Sequence, residues 1–355
     1  MDFNIIDTNK NLNIYKNSIR LYQIIIYIFY ILFLYSCEFK KDAIGFDDEI
    51  RVVCSKEDES IVKNFLKKIF NDTLYTPAPE PYYKLIFSEP GAYTKLKKYS
   101  QIIIASVNKD ENNIGYRLIN KLLSKNQVNI SKKNNPIFIT RDLFSNNQVY
   151  GIINAIDKEH LFDFFEKNSH LMKKHFENQF SIRSNKFLFE NRIQTDLEDS
   201  LQINFGWNIK IPWGWEIIKK NLNENFIWIG NQYPYRWLSV NWKSGNLVND
   251  RLAIGKEIWD FPNQHYKSIR FNDYKFNFKV EKFNNYRSWV CNGVWESIDS
   301  SEAKGGPFQS FVFYDFNTDR TFHINTLVHN PGENKALYIR QMELIAKSFK
   351  SYQSK

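Results

Sequence analysis

The chain has 355 residues, 43% hydrophobic and 25% charged, so it can build a sizeable core and is neither disordered nor collagen-like. Its 48 Lys and Arg against 39 Asp and Glu leave a net charge of +9, a moderate basic excess. Three cysteines exclude both a disulfide scaffold and a four-cysteine zinc site.

Residues 1–20 are polar, with Lys10, Lys16 and Arg20 as the basic part, and Leu21–Leu34 (LYQIIIYIFYILFL) is apolar apart from Gln23. As a helix this run spans about 21 Å, short of a bilayer crossing but suited to the apolar core of a secretory signal. It ends Leu34-Tyr35-Ser36-Cys37, which resembles the bacterial lipobox. The resemblance implies that residues 1–36 are a lipoprotein signal peptide and that Cys37 is the lipid-attachment residue, carrying acyl chains such as palmitate. Two acyl chains make a stable anchor where one does not. The expected location is the bacterial cell envelope, lipid-anchored at the outer membrane. Residues 37–48 read as a polar tether, with Asp47-Asp48-Glu49 a solvated edge.

Glu49–Ser55 (EIRVVCS) alternates and is β-branched, which predicts a strand. Ser60–Asn71 sets Ile61, Val62, Phe65, Leu66, Ile69 and Phe70 on one helical face. Thr76-Pro77-Ala78-Pro79-Glu80-Pro81 is a stiff, extended linker, because each proline lacks a donor and restricts its predecessor. Strands are predicted at Tyr82–Ser88 and Gln101–Val107, the second a near-continuous apolar run of the kind buried on both faces. A helix over Asn112–Lys125 and strands at Pro136–Thr140 and Gln148–Ala155 follow. A long helix capped by Asp157 carries Leu161, Phe165, Met172 and Phe176. This alternation predicts an α/β domain over residues 49–190.

Between about Phe180 and Thr195 the pattern weakens, and beyond it the composition shifts: all nine tryptophans lie between Trp207 and Trp295. Strands are predicted at Asn208–Ile211, Glu216–Lys220, Phe226–Gly230, Trp237–Trp242, Ser288–Glu296, Phe308–Tyr314 and Thr321–Val328. A helix interrupts them near Asn249–Trp259, and a last one, Lys335–Lys350, aligns Tyr338, Met342, Ile345 and Phe349. Residues 191–355 thus read as a Trp-rich α+β domain with a curved, mainly antiparallel sheet.

The chemistry-bearing patterns are weak. His160, His170, His175, His265, His323 and His329 form no HExxH pair, and the five-residue step from His170 to His175 puts them on different sides of a helix. Asp315–Asp319 starts like a calcium loop, but Arg320 and Thr326 stand where an EF-hand needs glycine and glutamate, so it reads as a hairpin turn. No phosphate loop, dinucleotide fingerprint or GxSxG elbow occurs. Cys54 and Cys291 sit in apolar strands and read as small buried thiols rather than a pair. Strand alternation sets Phe226 and Trp228 on one face and Ile227 and Ile229 on the other. The tryptophans therefore read chiefly as core, with Trp213, Trp215 and Trp237 the candidates for display. Lys95, Lys97, Lys98, Lys132 and Lys133 are scattered, unlike a nucleic-acid surface. No catalytic residue, metal site or cofactor is expected from these patterns.

The most distinctive stretch is Ser301-Glu302-Ala303-Lys304-Gly305-Gly306-Pro307-Phe308-Gln309-Ser310, whose glycines suggest a tight or positive-φ turn before a strand. Its Gly305, Gly306, Pro307, Phe308 and Ser310 resemble the GGPF-x-S signature of a lipoprotein family of Bacteroidetes-type bacteria, the domain of unknown function 4837. Gly45 with Glu49–Val53, Pro77–Pro81, Gln148-Val149, Ile211-Pro212, Phe226–Trp228 and Val294-Trp295 follow the same order. Pro331, Lys335, Arg340 and Glu343 resemble its C-terminal helix, whereas Tyr99-Ser100 stands in place of an Arg-Asn pair. The resemblance implies a fold and an envelope location, and no catalytic residues. The expected function is a lipid-anchored envelope protein with a binding or structural role, held to the membrane by its anchor. Its expected partner is another envelope protein or a glycan, not nucleic acid. The alternative is an envelope hydrolase acting on glycan or peptide.

Overall fold

A computed structural model describes residues 40–353 apart from 77, 134, 191, 192, 300 and 303. The expected signal peptide 1–36 and Cys37 lie outside the described residues, as does the side chain of Phe165. Among the described residues no helix is long and apolar enough to cross a membrane.

In chain order the first half contains β1 (Glu49–Val53), α1 (Lys56–Ile69), β2 (Thr73–Leu74), β3 (Glu80–Pro81), β4 (Lys84–Ser88), α2 (Tyr93–Leu96), β5 (Gln101–Ser106), α3 (Ile114–Leu122) and α4 (Lys125–Lys133). It ends with β6 (Ile137–Arg141), β7 (Val149–Asn154) and α5 (Lys158–Phe189). The sheet order is β4-β1-β5-β7-β6, parallel except for β6 at one edge. Every residue of β5 and β7 is buried, as their unbroken apolar runs require. One face packs Ile50, Val52, Ile103 and Ile153 on Phe65 of α1 and Phe176 of α5. The other packs Val53, Ile102, Ile104 and Tyr150 on Ile119 of α3. The proline-rich linker is the loop of a small hairpin, with Thr73 opposite Pro81 and Leu74 opposite Glu80.

The expected tether is packed from residue 42 onward. Asp42 and Ile44 bridge to Asn146 and Tyr99, and Ala43 is buried. Asp47 pairs with Arg183 at 2.6 Å and Asp48 with Lys84 at 2.9 Å, so these acids are tied down rather than solvated. Arg183 is far away in sequence, which is why the local pattern suggested solvent.

The second half contains α6 (Thr195–Phe205), β8 (Trp207–Asn208), β9 (Glu216–Asn221), β10 (Phe226–Asn231), β11 (Tyr235–Ser244), α7 (Arg251–His265), β12 (Ile269–Phe283) and β13 (Tyr286–Ser297). It continues with β14 (Gly305–Asp315), β15 (Arg320–His329), α8 (Ala336–Lys347) and β16 (Lys350–Ser351). Seven strands form an antiparallel sheet in the order β12-β13-β14-β15-β11-β10-β9. Alternation works as expected: Phe226 and Trp228 join a core with Ile254, Ile258 and Phe261 of α7, while Ile227 and Ile229 join a core with Ile339, Met342 and Ile345 of α8. The long strand β12 has no counterpart among the predicted strands. It is an edge strand whose Arg270, Lys275, Lys279 and Lys282 face water, so its apolar signal is diluted.

The glycines of the signature do not make a turn. Gly305 and Gly306 lie at the start of β14 without positive φ, and the reason for glycine is close approach. A Cβ on Gly306 would sit 2.0 Å from the Val328 carbonyl oxygen, and one on Gly305 2.8 Å from that of Trp295. Trp295 Nε1 donates to the same Val328 oxygen at 3.2 Å, fixing that carbonyl in place.

Residues from 42 onward form one compact unit. Glu80 of β3 reaches the N-terminus of α8, accepting from the backbone N–H groups of Lys335 and Ala336 and pairing with the Lys335 ammonium. A carboxylate there satisfies donors that a helix leaves free and complements its dipole. One turn along, the Arg340 guanidinium is only 4% exposed. It donates to the Tyr82 carbonyl (3.0 Å), the Tyr83 hydroxyl (2.9 Å) and Glu177 of α5 (2.9 Å), and lies 3.5 Å from the Phe180 ring centre. Burial works against its charge, but Tyr83 and Glu177 outweigh that and raise its pKa, so it stays protonated.

Two outcomes follow from these contacts. Gly306→Ala should lower the urea midpoint by an amount worth about 2 kcal/mol, because backbone rather than a flexible side chain must move; an unchanged midpoint refutes the close-approach reading. Arg340→Met should cost about 3 kcal/mol, since it strands the Glu177 carboxylate and the Tyr83 hydroxyl. Arg340→Lys should recover only part, for want of the planar fork.

Candidate functional site

The face of the sheet that packs on α8 turns polar toward β12. In register, Asn277 of β12 pairs with Asn292 of β13, and Asn292 with Gln309 of β14. Directly opposed residues share a face, so three amides stand in a row across three strands. Facing them are residues 71–75, which run from the end of α1 through β2, and Tyr82. Between these walls runs a cleft of about 430 Å³, lined also by Lys275, Lys279, Gly293 and Phe308.

The lining has a definite chemical character. Gln309 is 8% exposed, and its side-chain carbonyl oxygen has no partner in the protein; nor has that of Asn292. A buried carbonyl without a donor costs roughly 1–3 kcal/mol, so such atoms are rare unless something else supplies the donor. Tyr75 is exposed, and Lys275 Nζ lies 4.5 Å from its ring centre. Burial pushes the Tyr82 phenol up to about 12, so it stays neutral at physiological pH. Asp72 is paired with Lys173. The cleft thus combines neutral amides that accept and donate with aromatic rings, and it keeps its acid neutralised.

Phe308 of the family signature is one lining residue, stacked on Phe271 with ring centres 3.6 Å apart. Ser310 belongs to a different construction. Its hydroxyl donates to Asn325 at 2.8 Å, Asn325 donates to the Tyr266 hydroxyl at 2.9 Å, and that hydroxyl meets Ser239 at 2.5 Å. This chain is buried and its members satisfy one another, which makes it architecture. At the carboxyl ends of β1 and β5, Ser55, Asp58 and Asn113 are likewise joined in a closed hydrogen-bonded cluster. Burial raises the Asp58 carboxyl above its ordinary pKa.

The other residues singled out in the sequence are dispersed. Cys54, just after β1, and Cys291, in β13, are free and buried, and burial pushes the Cys54 thiol up to about 12 and Cys291 higher. Trp213 is displayed, at 64% exposed, whereas Trp215 is core and Trp237 half-buried. Asp315 accepts from Asn317 N–H and the Thr318 hydroxyl, closing the β14–β15 hairpin turn. Among the described residues no group of three or more His, Cys, Asp or Glu is placed to hold a metal ion. The amide row was missed because β12 was missed. The signal lay in Asn292 and Gln309, amides at alternating positions inside otherwise apolar strands.

Comparison with curated proteins returns no match. Solved structures with some likeness include one from Bacteroides thetaiotaomicron VPI-5482, at 11% identity and a TM-score of 0.27, covering 42% of this chain and 46% of that one. The chain therefore spans less than half the length of that structure. The Ran-binding protein Mog1p of Saccharomyces cerevisiae, at 10% identity and a TM-score of 0.28, covers 42% of this chain and 91% of its own. A Mog1 variant stands at 10% identity and 0.29, over 42% and 92%. At such TM-scores these likenesses carry no argument for fold or function. The family model described as Domain of unknown function (DUF4837) matches residues 194–348, a narrower span than the resemblance first suggested, and it includes the signature at Gly305–Phe308 and all three strands that carry the amides. Over residues 194–348 the chain thus matches the DUF4837 family, which supports the resemblance read from its signature.

Proposed function

We propose that this protein is a lipid-anchored component of a bacterial cell envelope and that its cleft binds a hydroxyl-rich glycan segment. The observation that carries the binding reading is the row Asn277–Asn292–Gln309, with two unpartnered side-chain carbonyls, facing Tyr75 and Tyr82. Sugar hydroxyls donate to such carbonyls and accept from the amide N–H groups, while aromatic rings cover the apolar C–H faces of a pyranose. A volume of about 430 Å³ falls in the range of about 300–1,000 Å³ usual for small-ligand clefts. Neutral amides are also indifferent to pH, which suits an exposed envelope. The anchoring reading rests on the apolar run Leu21–Leu34 and the lipobox-like Leu34–Cys37.

Cleavage of a glycan calls for two carboxylates about 5–9.5 Å apart. Among the described residues lining the cleft, Asp72 is the one carboxylate, and Lys173 holds it. The lining therefore supports binding over hydrolysis.

Titration calorimetry with chitotriose and maltotriose as neutral probes tests the cleft. Gln309→Leu and Asn292→Leu should each weaken binding about tenfold, the worth of one or two hydrogen bonds, with unchanged circular dichroism. Equal affinity in both variants would remove the cleft from the account. Anchoring is checked separately by detergent phase partition: the wild-type chain should enter the detergent phase, and Cys37→Ala should remain uncleaved or move to the aqueous phase. Normal processing and partition of Cys37→Ala would sink the anchor.

A further inference from the structure

A second pocket, of about 220 Å³, opens on the opposite face of the C-terminal sheet, between β15 and α7. Its outer rim is Lys243, Leu247 and Ala253, and its floor is Ile254, Val312, His323 and Asn241, whose amide N–H group donates to the Glu224 and Asn225 carbonyls. On β15, Thr321, His323 and Asn325 alternate with core residues and point toward the α7 side. Thr321 exchanges hydrogen bonds with Gly245 and Leu247, and Asn325 with Ser310 and Tyr266. His323 differs: it is 3% exposed, and neither ring nitrogen has a partner in the protein. The centre of its ring lies 4.0 Å from that of Phe261.

Burial, with Lys243 and His265 nearby, holds the His323 pKa well below the ordinary value, and the ring is neutral. A neutral imidazole offers one N–H donor and one nitrogen acceptor. A hydroxyl can serve either, whichever tautomer faces it. A carboxylate would bring an uncompensated charge to a mainly apolar pocket, because the Lys243 ammonium at the rim is already paired with Glu257. An apolar cavity of about 150 Å³ is enough to bind benzene, so this one has room for a single ring and its substituent.

We infer that the pocket between β15 and α7 is a binding site for a small, uncharged, mainly apolar ligand bearing a hydroxyl, a phenol or short alcohol, which hydrogen-bonds to His323. The site is separate from the amide cleft and does not rest on the glycan reading.

The test uses the purified full chain and three probes of one ring: phenol, toluene and benzoate. Phenol should shift the His323 imidazole nitrogen resonances at saturation and bind about tenfold more tightly than toluene, the difference one buried hydrogen bond makes. Benzoate should bind more weakly than phenol. His323→Phe should abolish the preference of phenol over toluene. Because that variant alters a buried position, Ala253→Trp at the rim provides a second arm and should block phenol while leaving the melting temperature nearly unchanged. Equal binding of phenol and toluene, preference for benzoate, unmoved His323 resonances, or phenol binding retained in Ala253→Trp would each overturn the inference.

Discussion

The buried guanidinium of Arg340 is the contact on which the arrangement depends. It sits on α8, the helix that covers one face of the C-terminal sheet, yet its partners are Tyr82, Tyr83 and Glu177 from the α/β half. A charge so deeply buried is tolerable only when its hydrogen bonds are made. The distances at which those bonds form therefore fix how α8 and β3–β4 meet. Glu80 adds a second tie to the same helix end, through the first donors of α8. The amide cleft inherits its width from these contacts, because Tyr82 is both a partner of Arg340 and part of the cleft wall. A binding surface built between two sheets needs such a clasp, since neither wall alone determines the gap.

The family signature acts on the same region from the sheet side. Gly306 lets β14 lie against the Val328 carbonyl, Phe308 stacks on Phe271, and Ser310 opens the buried hydroxyl–amide chain. These are three different physical demands: close backbone approach, ring stacking and polar satisfaction. Together they hold the register of β13, β14 and β15. Register decides that Asn292 and Gln309 face the cleft, since a slip of one residue would send both to the α7 side. The signature is thus a structural device whose consequence is the placement of polar side chains that it does not itself contain.

Both faces of that sheet carry polar groups without protein partners, but of different kinds. On the α8 face they are amide carbonyls beside tyrosines and solvent-exposed lysines. On the α7 face it is a neutral imidazole within a mainly apolar pocket. The first suits a ligand dense in hydroxyls, the second a ligand with a single one.

Much of the architecture was legible in the residues. The unbroken run at Gln101–Val107 announced a strand covered on both faces, and β5 is one, because continuous Ile cannot face water without cost. Alternation at Phe226–Ile229 assigned side chains to faces correctly, since period two is a property of the strand itself. The hairpin at Asp315–Asp319 and the cap at Asp157 were likewise local matters. What local pattern could not reach was anything decided by a distant partner. Asp47 and Asp48 looked solvated until Arg183 and Lys84 were brought to them. The glycines of the signature looked like a turn, because nothing near them in sequence reveals that the Val328 carbonyl will press on Gly306. Strand β12 was hidden by its own position, an edge whose exposed lysines mask the apolar alternation. The cleft and the pocket over His323 belong wholly to this second class. Each is made by elements that meet only after folding, so sequence determined which side chains were available, and long-range packing alone decided which would stand together without partners.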